Sequence, residues 1–172
     1  MLKPALLSAL TLLPLVALPA AQAQVTQNRY GDLICSGTLS GRTINRDVKV
    51  RNGAACTLVN SRVNGEIDVE RGGTLVVRNT TVSGDIDGED GFRAVTVTGS
   101  VVNGDIDMEQ GGSVNIENVR VNGDLDLEGN TGALRLTRVT VTGDLDCEDN
   151  RTAPTGGQNR VIGDREGQCR AL

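Results

Sequence analysis

Acidic residues at alternate positions are the side chains of this 172-residue chain that are best suited to chemistry. A six-residue phrase of the form Gly-Asp-Ile-Asp-Met-Glu occurs five times with small variations, and its copies start 19, 20, 19 and 20 residues apart. Carboxylate oxygens are the ligands that calcium prefers, at about 2.4 Å from the ion. Three groups of acidic residues are therefore candidate cation-binding residues: Glu66, Asp85, Asp105, Asp124 and Asp144; Asp68, Asp87, Asp107, Asp126 and Asp146; and Glu70, Glu89, Glu109, Glu128 and Glu148.

These groups become three columns of carboxylates if successive copies of the phrase stack on one another. Vertical neighbours would then lie about 4.8 Å apart, and two carboxylates at that distance repel by about 0.9 kcal/mol even in bulk water. Summed over the columns, the repulsion rivals the stability of an ordinary domain, so something must offset it. Divalent cations, raised carboxylate pKa values and neighbouring bases are the three candidates. Among the bases, we expect Lys49 beneath Asp68 and Arg51 beneath Glu70.

Two other interpretations of the acidic columns stay open at this point. A solvated acidic face would keep the protein soluble and block association between sheets. A polysaccharide-acting β-helix enzyme, of the lyase or glycosidase type, would also cluster Asp residues, but catalysis needs one carboxylate in an environment unlike its neighbour's. The acidic positions here are nearly equivalent in every repeat, so we expect no enzyme and assign no catalytic residue. The phrase lacks the spacing of known calcium loops, so calcium is a candidate cofactor from physical reasoning alone.

The repeat period and the hydrophobic pattern predict the elements that carry the columns. A period of 19 to 20 residues indicates a solenoid built by stacking one unit on copies of itself. In the first full unit Ile67 and Val69 alternate with acidic residues, which is typical of a strand with one buried face. A second strand follows a glycine-rich turn and directs Leu75 and Val77 inward. We predict an all-β, single-domain parallel β-helix of about six coils, expected to be right-handed, with almost no helix.

Composition narrows the classes of partner. The formal net charge is −5, and the chain has no His, no Trp, one Tyr and one Phe. The negative charge disfavours a nucleic-acid partner, and the shortage of aromatic rings leaves little on which bases or sugars could stack. The expected partners are therefore divalent cations, a glycan or a cell surface, and the oligomeric state is left open.

The first 23 residues have the pattern of a secretory signal peptide. Lys3 precedes an apolar run that two prolines interrupt, and Ala21-Gln22-Ala23 forms a cleavage site. The run is too short to span a membrane comfortably, so the predicted location is secreted: periplasmic, extracellular or at the cell surface. The expected organisation is a signal peptide (1–23), an N-terminal cap (24–43), the β-helix coils (44–148) and a C-terminal cap (149–172).

Four cysteines fall near the two ends of the repeat region. Cys35 and Cys56 are 21 residues apart, and Cys147 and Cys169 are 22 apart. An even number of cysteines in an exported protein suggests disulfides. Each gap is about one coil, and a coil spacing of about 4.8 Å falls within the Cα range of a disulfide. We predict Cys35–Cys56 and Cys147–Cys169, one at each end.

The coil pattern resembles that of small exported bacterial β-helix proteins of unassigned function. The matching segments are Gly53-Ala-Ala-Cys-Thr-Leu58 followed by Val63-Asn-Gly65, Asp146-Cys-Glu148, Pro154-Thr-Gly-Gly157, and Glu166-Gly-Gln-Cys169, with Asn159 and Gly163 between the last two. The resemblance implies export, this fold and two cystines, and it carries no catalytic residues. A weaker similarity is to bactofilins, cytoskeletal β-helices that polymerise end to end, so a filament-forming solenoid is a further alternative. This chain departs from the bactofilin pattern in its predicted signal peptide and in the disulfide predicted at each end, because bactofilins are cytoplasmic.

Overall fold

The computed structural model describes residues 24–27 and 31–172, so the predicted signal peptide, residues 1–23, lies outside the described residues. The described chain is an all-β parallel solenoid of about seven turns with two disulfides near its ends, which confirms the predicted fold class. The turn count exceeds the six expected because parallel stacking continues on both sides of residues 44–148. Within the described part, the single helical element is the short 3-10 helix η1 (Gly167–Cys169).

The coils stack into three sheets, A, B and C, and each coil after the first contributes one strand to each sheet. Strand β1 (Gln24–Gln27) pairs antiparallel with β2 (Leu33–Ser40), and β2 runs through both sheet A and sheet B. Sheet A continues with β4 (Val48–Val50), β7 (Ile67–Val69), β10 (Ile86–Gly88), β13 (Ile106–Glu109), β16 (Leu125–Glu128) and β19 (Leu145–Glu148). Sheet B continues with β5 (Ala55–Val59), β8 (Thr74–Arg78), β11 (Ala94–Thr98), β14 (Ser113–Glu117), β17 (Leu134–Thr137) and β20 (Thr155–Gly157). Sheet C contains β3 (Thr43–Ile44), β6 (Arg62–Val63), β9 (Thr81–Val82), β12 (Val101–Val102), β15 (Arg120–Val121), β18 (Thr140–Val141) and β21 (Arg160–Val161).

The sequence pattern did not reveal the strands of sheet C. Its strands are two residues long, so period-two alternation has no room to develop. The sequence shows only their inward residue, the leading apolar position of each repeat, such as Val63 or Val82. Both are fully buried, in register with each other on neighbouring coils.

The three sheets enclose one continuous aliphatic core. The predicted inward residues are buried: Ile67 and Val69 on sheet A and Leu75 and Val77 on sheet B are 0% exposed. Each packs on its equivalent one coil away, since Ile67 pairs with Ile86 in the parallel ladder. Burial of these stacked rows is the main stabilising term of the fold.

One coil departs from the regular core. Gly88 occupies the inward position that Val69 and Met108 fill in the neighbouring coils. The ring of Phe92, 1% exposed, fills the space instead. A Cβ on Gly88 would lie 2.8 Å from Cδ1 of Phe92 and 2.8 Å from Sδ of Met108. The aromatic side chain therefore compensates from the adjoining turn for the side chain that the strand lacks.

Both predicted disulfides are confirmed. The Cα atoms are 5.5 Å apart in Cys35–Cys56 and 5.3 Å apart in Cys147–Cys169. The second disulfide fastens η1 to the last strand of sheet A. No helix in residues 24–27 and 31–172 is long and apolar enough to cross a membrane.

Candidate functional site

The first acidic column lies at the corner that leads into sheet A, and its carboxylates bind the backbone. Oδ1 of Asp85 accepts a hydrogen bond from the N–H of Asp105 at 2.8 Å, and Oδ1 of Asp105 accepts one from Asp124 at 2.8 Å. Asp124 and Asp144 continue the pattern at 2.7 and 2.8 Å. We call this arrangement the aspartate ladder. A carboxylate that accepts a backbone N–H contributes about 1 kcal/mol or more, so the first column has a structural role.

The glycine of each repeated phrase makes room for this ladder. The carboxylate of Asp105 reaches into the space that a side chain at Gly123 would occupy, so a Cβ there would overlap Oδ1 of Asp105. Gly104 and Gly143 have the same relation to Asp85 and Asp124. None of the three glycines has a positive φ. The repeated Gly-Asp pair is thus a steric requirement between coils, in which each glycine accommodates the aspartate of the coil before it.

Glu66 interrupts the ladder. The N–H of Glu66 is bonded to Oδ1 of Asp47 at 3.1 Å, but the N–H of Asp85 finds no acceptor among the described residues. The extra methylene of glutamate moves the carboxylate away from the position that the aspartates use. Burial, followed by the charges of Asp68, Asp47 and Asp85, raises the pKa of Glu66.

The variant Glu66→Asp is expected to complete the ladder and stabilise the protein. A new bond to the N–H of Asp85 should add about 0.5 to 1 kcal/mol to the free energy of unfolding, measured by urea denaturation. Glu128→Asp is the matched control, because it removes the same methylene at an exposed position outside the ladder. An equal or smaller gain for Glu66→Asp than for the control would contradict this account.

The second column runs along the middle of sheet A, in register from coil to coil. Asp68, Asp87 and Asp107 pair in the parallel ladder, and Asp107, Asp126 and Asp146 continue it. Lys49 lies beneath Asp68 as expected, with Nζ 3.3 Å from Oδ2. The base therefore neutralises only the lower end of the column.

The middle carboxylates of this column are partly buried and repel one another. Burial, followed by the charges of neighbouring carboxylates, raises the pKa of Asp87 to about 6 and that of Asp126 to about 6. The pKa of Asp107 is raised by burial and then by the charges of Glu128 and Asp105. Oδ1 of Asp107 and Oδ1 of Asp146 are buried without a hydrogen-bond partner. Because these oxygens are buried, they can bind a ligand only if their side chains rotate toward the solvent.

The third column lies at the outer end of the same strands. Glu109, Glu128 and Glu148 are paired in register and exposed. Glu89 is exposed in a turn, and Glu70 accepts a bond from the N–H of Asn52 at 3.2 Å. The salt bridges of residues 31–172 are Lys49–Asp68 and Arg138–Glu117, so Arg51 forms no ion pair with Glu70.

The second and third columns meet in a shallow cleft over the last three coils. Its volume is about 130 Å³, and it is lined by Asp107, Glu109, Asp126, Leu127, Glu128, Asp146 and Glu148. Across the described chain, no group of three or more His, Cys, Asp or Glu side chains is already arranged to hold a metal ion. Cation binding in the cleft therefore requires side-chain rotation, and ordering an exposed glutamate costs up to about 1.5 to 2 kcal/mol of rotamer entropy, which the ion must offset.

Two further ladders were missed because their residues lie in turns of irregular sequence. Oδ1 of Asn130 accepts a bond from the N–H of Gly111 at 3.0 Å, and Oδ1 of Asn150 accepts one from Asn130 at 2.9 Å. Gln168 extends this row into the C-terminal segment. Ser61, Thr80 and Ser100 form a similar row of hydroxyls at the corner between sheets B and C. The sequence signal for both rows is recurrence at the coil period, since Asn130 and Asn150 are 20 residues apart and Ser61, Thr80 and Ser100 follow one another at 19 and 20 residues.

Comparisons of the chain with protein-family models, with curated proteins and with solved structures found no match. The functional argument therefore depends on the chain's own geometry. Of the three acidic columns, the first is occupied by backbone hydrogen bonds at its four aspartates, and the second and third line the cleft. The candidate site is the pair formed by the second and third columns on sheet A.

Proposed function

We propose that this protein is a secreted or surface-associated β-solenoid that acts as a structural or binding module without a catalytic role. In this proposal sheet A binds divalent cations, with calcium as the candidate ion, and the bound ions mediate adhesion to a glycan or a cell surface. The observation that supports it most is the cleft, where six carboxylates from three coils lie together. Calcium takes six to eight oxygen ligands in flexible geometry, which suits carboxylates on a regular sheet.

The electrostatics of the second column favour a cation over protonation at neutral pH. With pKa values of about 6, Asp87 and Asp126 are mostly ionised above pH 7. Among the described residues, no basic side chain forms an ion pair with either aspartate, and Lys49 pairs with Asp68. A divalent ion between adjacent coils would neutralise two carboxylates at once, for example those of Asp126 and Asp146.

The expected location follows the chemistry of the cysteines. The described residues contain two disulfides and no free cysteine, as is typical of exported proteins. Calcium is bound outside cells at about 10⁻⁴ to 10⁻³ M affinity by many modules, so weak sites of this kind would be filled there.

Calcium is expected to raise the melting temperature at pH 7.5 and to have less effect at pH 4.5. Folding raises the pKa of Asp87 and Asp126 above 3.8, so protonation favours the folded state. That contribution is present below pH 3.8 and is lost as the pH rises through about 6. In EDTA, stability should therefore fall from pH 4.5 to pH 7.5. Millimolar calcium at pH 7.5 should raise the melting temperature by about 3 °C, as expected for a ligand several-fold above its Kd.

Three controls separate ion binding from screening. Sodium chloride at matched ionic strength should not reproduce the calcium effect. Asp126→Asn should reduce both the calcium effect and the pH dependence. Asp90→Asn, which removes one charge in an exposed turn outside the columns, should leave both unchanged. No rise in melting temperature with calcium, or an equal rise with sodium chloride, would refute the proposal.

A further inference from the structure

Exposed arginines mark the side of the solenoid opposite the acidic sheet. The strands of sheets B and C contain a single acidic residue, Glu117. The strands and the corner between them carry six exposed arginines: Arg62, Arg78, Arg120, Arg135, Arg138 and Arg160. Of these six, Arg138 is the member with an ion pair in the described chain, to Glu117. The molecule is therefore polarised, with negative charge on sheet A and positive charge on the other two sheets.

The last three coils carry opposite charges at a matched spacing on two sides. On one side Glu109, Glu128 and Glu148 follow one another in β13, β16 and β19. On the other side, Arg120 in β15 and Arg160 in β21 occupy the same register position two coils apart, with Thr140 at that position in the coil between them. Arg138 lies two residues before Thr140 and pairs with Glu117. The arginine row is therefore formed by Arg120 and Arg160, next to the corner between sheets B and C, and in a solenoid with three sheets that corner lies opposite sheet A.

The spacing of Arg120 and Arg160 must agree with that of Glu109 and Glu148, because each pair is separated by two coil rises of about 4.8 Å. If the arginine row of one copy lies along the glutamate row of another, the guanidiniums of Arg120 and Arg160 each meet a carboxylate without any change of backbone. Guanidinium groups pair with carboxylates in a planar, two-bond geometry. An unrelated anionic polymer has no built-in reason to share this repeat, whereas a second copy of the chain always shares it.

We propose that the corner between sheets B and C of one copy docks on sheet A of a second copy, arginine row against glutamate row. The two rows lie on different surfaces, so the contact is heterologous and repeats laterally from copy to copy. The inference goes beyond the proposed function and does not depend on it, since carboxylates and not calcium form the contact. Exposed ion pairs are individually weak, so the association should be weak and sensitive to salt.

Sedimentation equilibrium of the purified protein in EDTA, at increasing protein concentration, tests the proposal. At an ionic strength of about 0.1 M, charges separated by more than about 10 Å are screened, so the net charge opposes contact only weakly. The weight-average mass should then rise above the monomer mass with concentration. At about 1 M, where the screening length is about 3 Å, it should return to the monomer value. A monomer at every concentration at 0.1 M, or an association that persists at 1 M, would overturn the proposal.

Paired variants identify the surfaces. Arg120→Gln with Arg160→Gln, and separately Glu109→Gln with Glu148→Gln, should each weaken the association constant by about 2- to 30-fold, the equivalent of two exposed ion pairs. Arg71→Gln with Arg93→Gln, at exposed positions in the turns between sheets A and B, is the matched control and should associate like the parent.

A charge exchange completes the test. Arg120→Glu with Arg160→Glu, and Glu109→Arg with Glu148→Arg, should each be monomeric alone and associate when mixed. If the mixture stays monomeric, or if the first arginine pair associates as strongly as the control, the rows do not form the contact.

Discussion

Gly123→Ala is expected to lower the free energy of unfolding by about 3 kcal/mol, a large effect for one methyl group. The new Cβ would overlap Oδ1 of Asp105 and lie 2.9 Å from the carbonyl carbon and oxygen of Gly104. The carboxylate cannot move aside without losing the N–H of Asp124, to which it is bonded at 2.8 Å. The substitution therefore introduces strain and removes a hydrogen bond at once. Urea denaturation followed by circular dichroism measures the loss.

Gly84→Ala is the matched control for this prediction. Gly84 is equivalent to Gly123, and it lies one coil above Glu66 as Gly123 lies one coil above Asp105. The ladder is interrupted at Glu66, so no carboxylate fills the space at Gly84. A Cβ there would lie 3.0 Å from the carbonyl oxygen of Gly65, a close contact without a displaced hydrogen bond. We expect Gly84→Ala to lose clearly less stability than Gly123→Ala. Equal losses would show that the backbone of the neighbouring coil, and not the aspartate, requires the glycine.

A double variant tests the coupling directly. Asp105→Ala alone should lose about 1 kcal/mol, because the N–H of Asp124 is left without an acceptor. In Asp105→Ala with Gly123→Ala, the overlap with the carboxylate is removed, so the losses should be less than additive by about 1 to 2 kcal/mol. Additive losses would contradict the proposed contact.

Removal of the C-terminal disulfide, by Cys147→Ala with Cys169→Ala, is expected to open the last coil. The two residues are 22 apart, and a loop of that length corresponds to about 3 kcal/mol. Coils contact only their neighbours, so the loss should be local to the end of the solenoid. Hydrogen exchange of the amides of β19 and of residues 160–172 should accelerate about 100-fold, which is the exchange equivalent of that energy.

The middle and the opposite end of the solenoid provide the comparison. Amides of β13, two coils below the disulfide, should keep their protection in this variant. Cys35→Ala with Cys56→Ala should affect the first coils and leave residues 160–172 unchanged. Gln168 still anchors the C-terminal segment through its two bonds to Asn150, which limits the effect. A uniform rise in exchange along the whole chain would mean that the solenoid unfolds as one unit.

Features that repeat with the coil were predictable from the sequence. The period, the inward apolar residues and the second acidic column follow from alternation, because a strand with one buried face leaves a pattern in consecutive residues. The pairing of Cys147 with Cys169 followed from the coil length in the same way. Lys49 beneath Asp68 was predictable because equivalent positions of adjacent coils stack in register.

Features that depend on the direction of a side chain at a corner or in a turn were not predictable. The three acidic columns look alike in sequence, but Asp105 bonds the backbone of the next coil and Asp126 does not. That difference depends on the direction of the side chain at a corner, which the residue types do not encode locally. Sheet C escaped prediction because two-residue strands are too short for a pattern. The turn count was one too low because the first and last coils depart from the repeated phrase and yet stack on it.

By itself, the sequence determined that the chain folds as a β-solenoid with rows of acidic residues and a disulfide at each end. Strand alternation and a constant period are local and repetitive, so both patterns are visible in the amino-acid sequence. Only the tertiary structure decided what each row does. It shows that the first column is committed to backbone hydrogen bonds, that the glycines accommodate it, and that unpartnered oxygens remain in the second column. Those properties arise between atoms 19 to 20 residues apart, where differences of about 1 Å decide whether a hydrogen bond or a clash results.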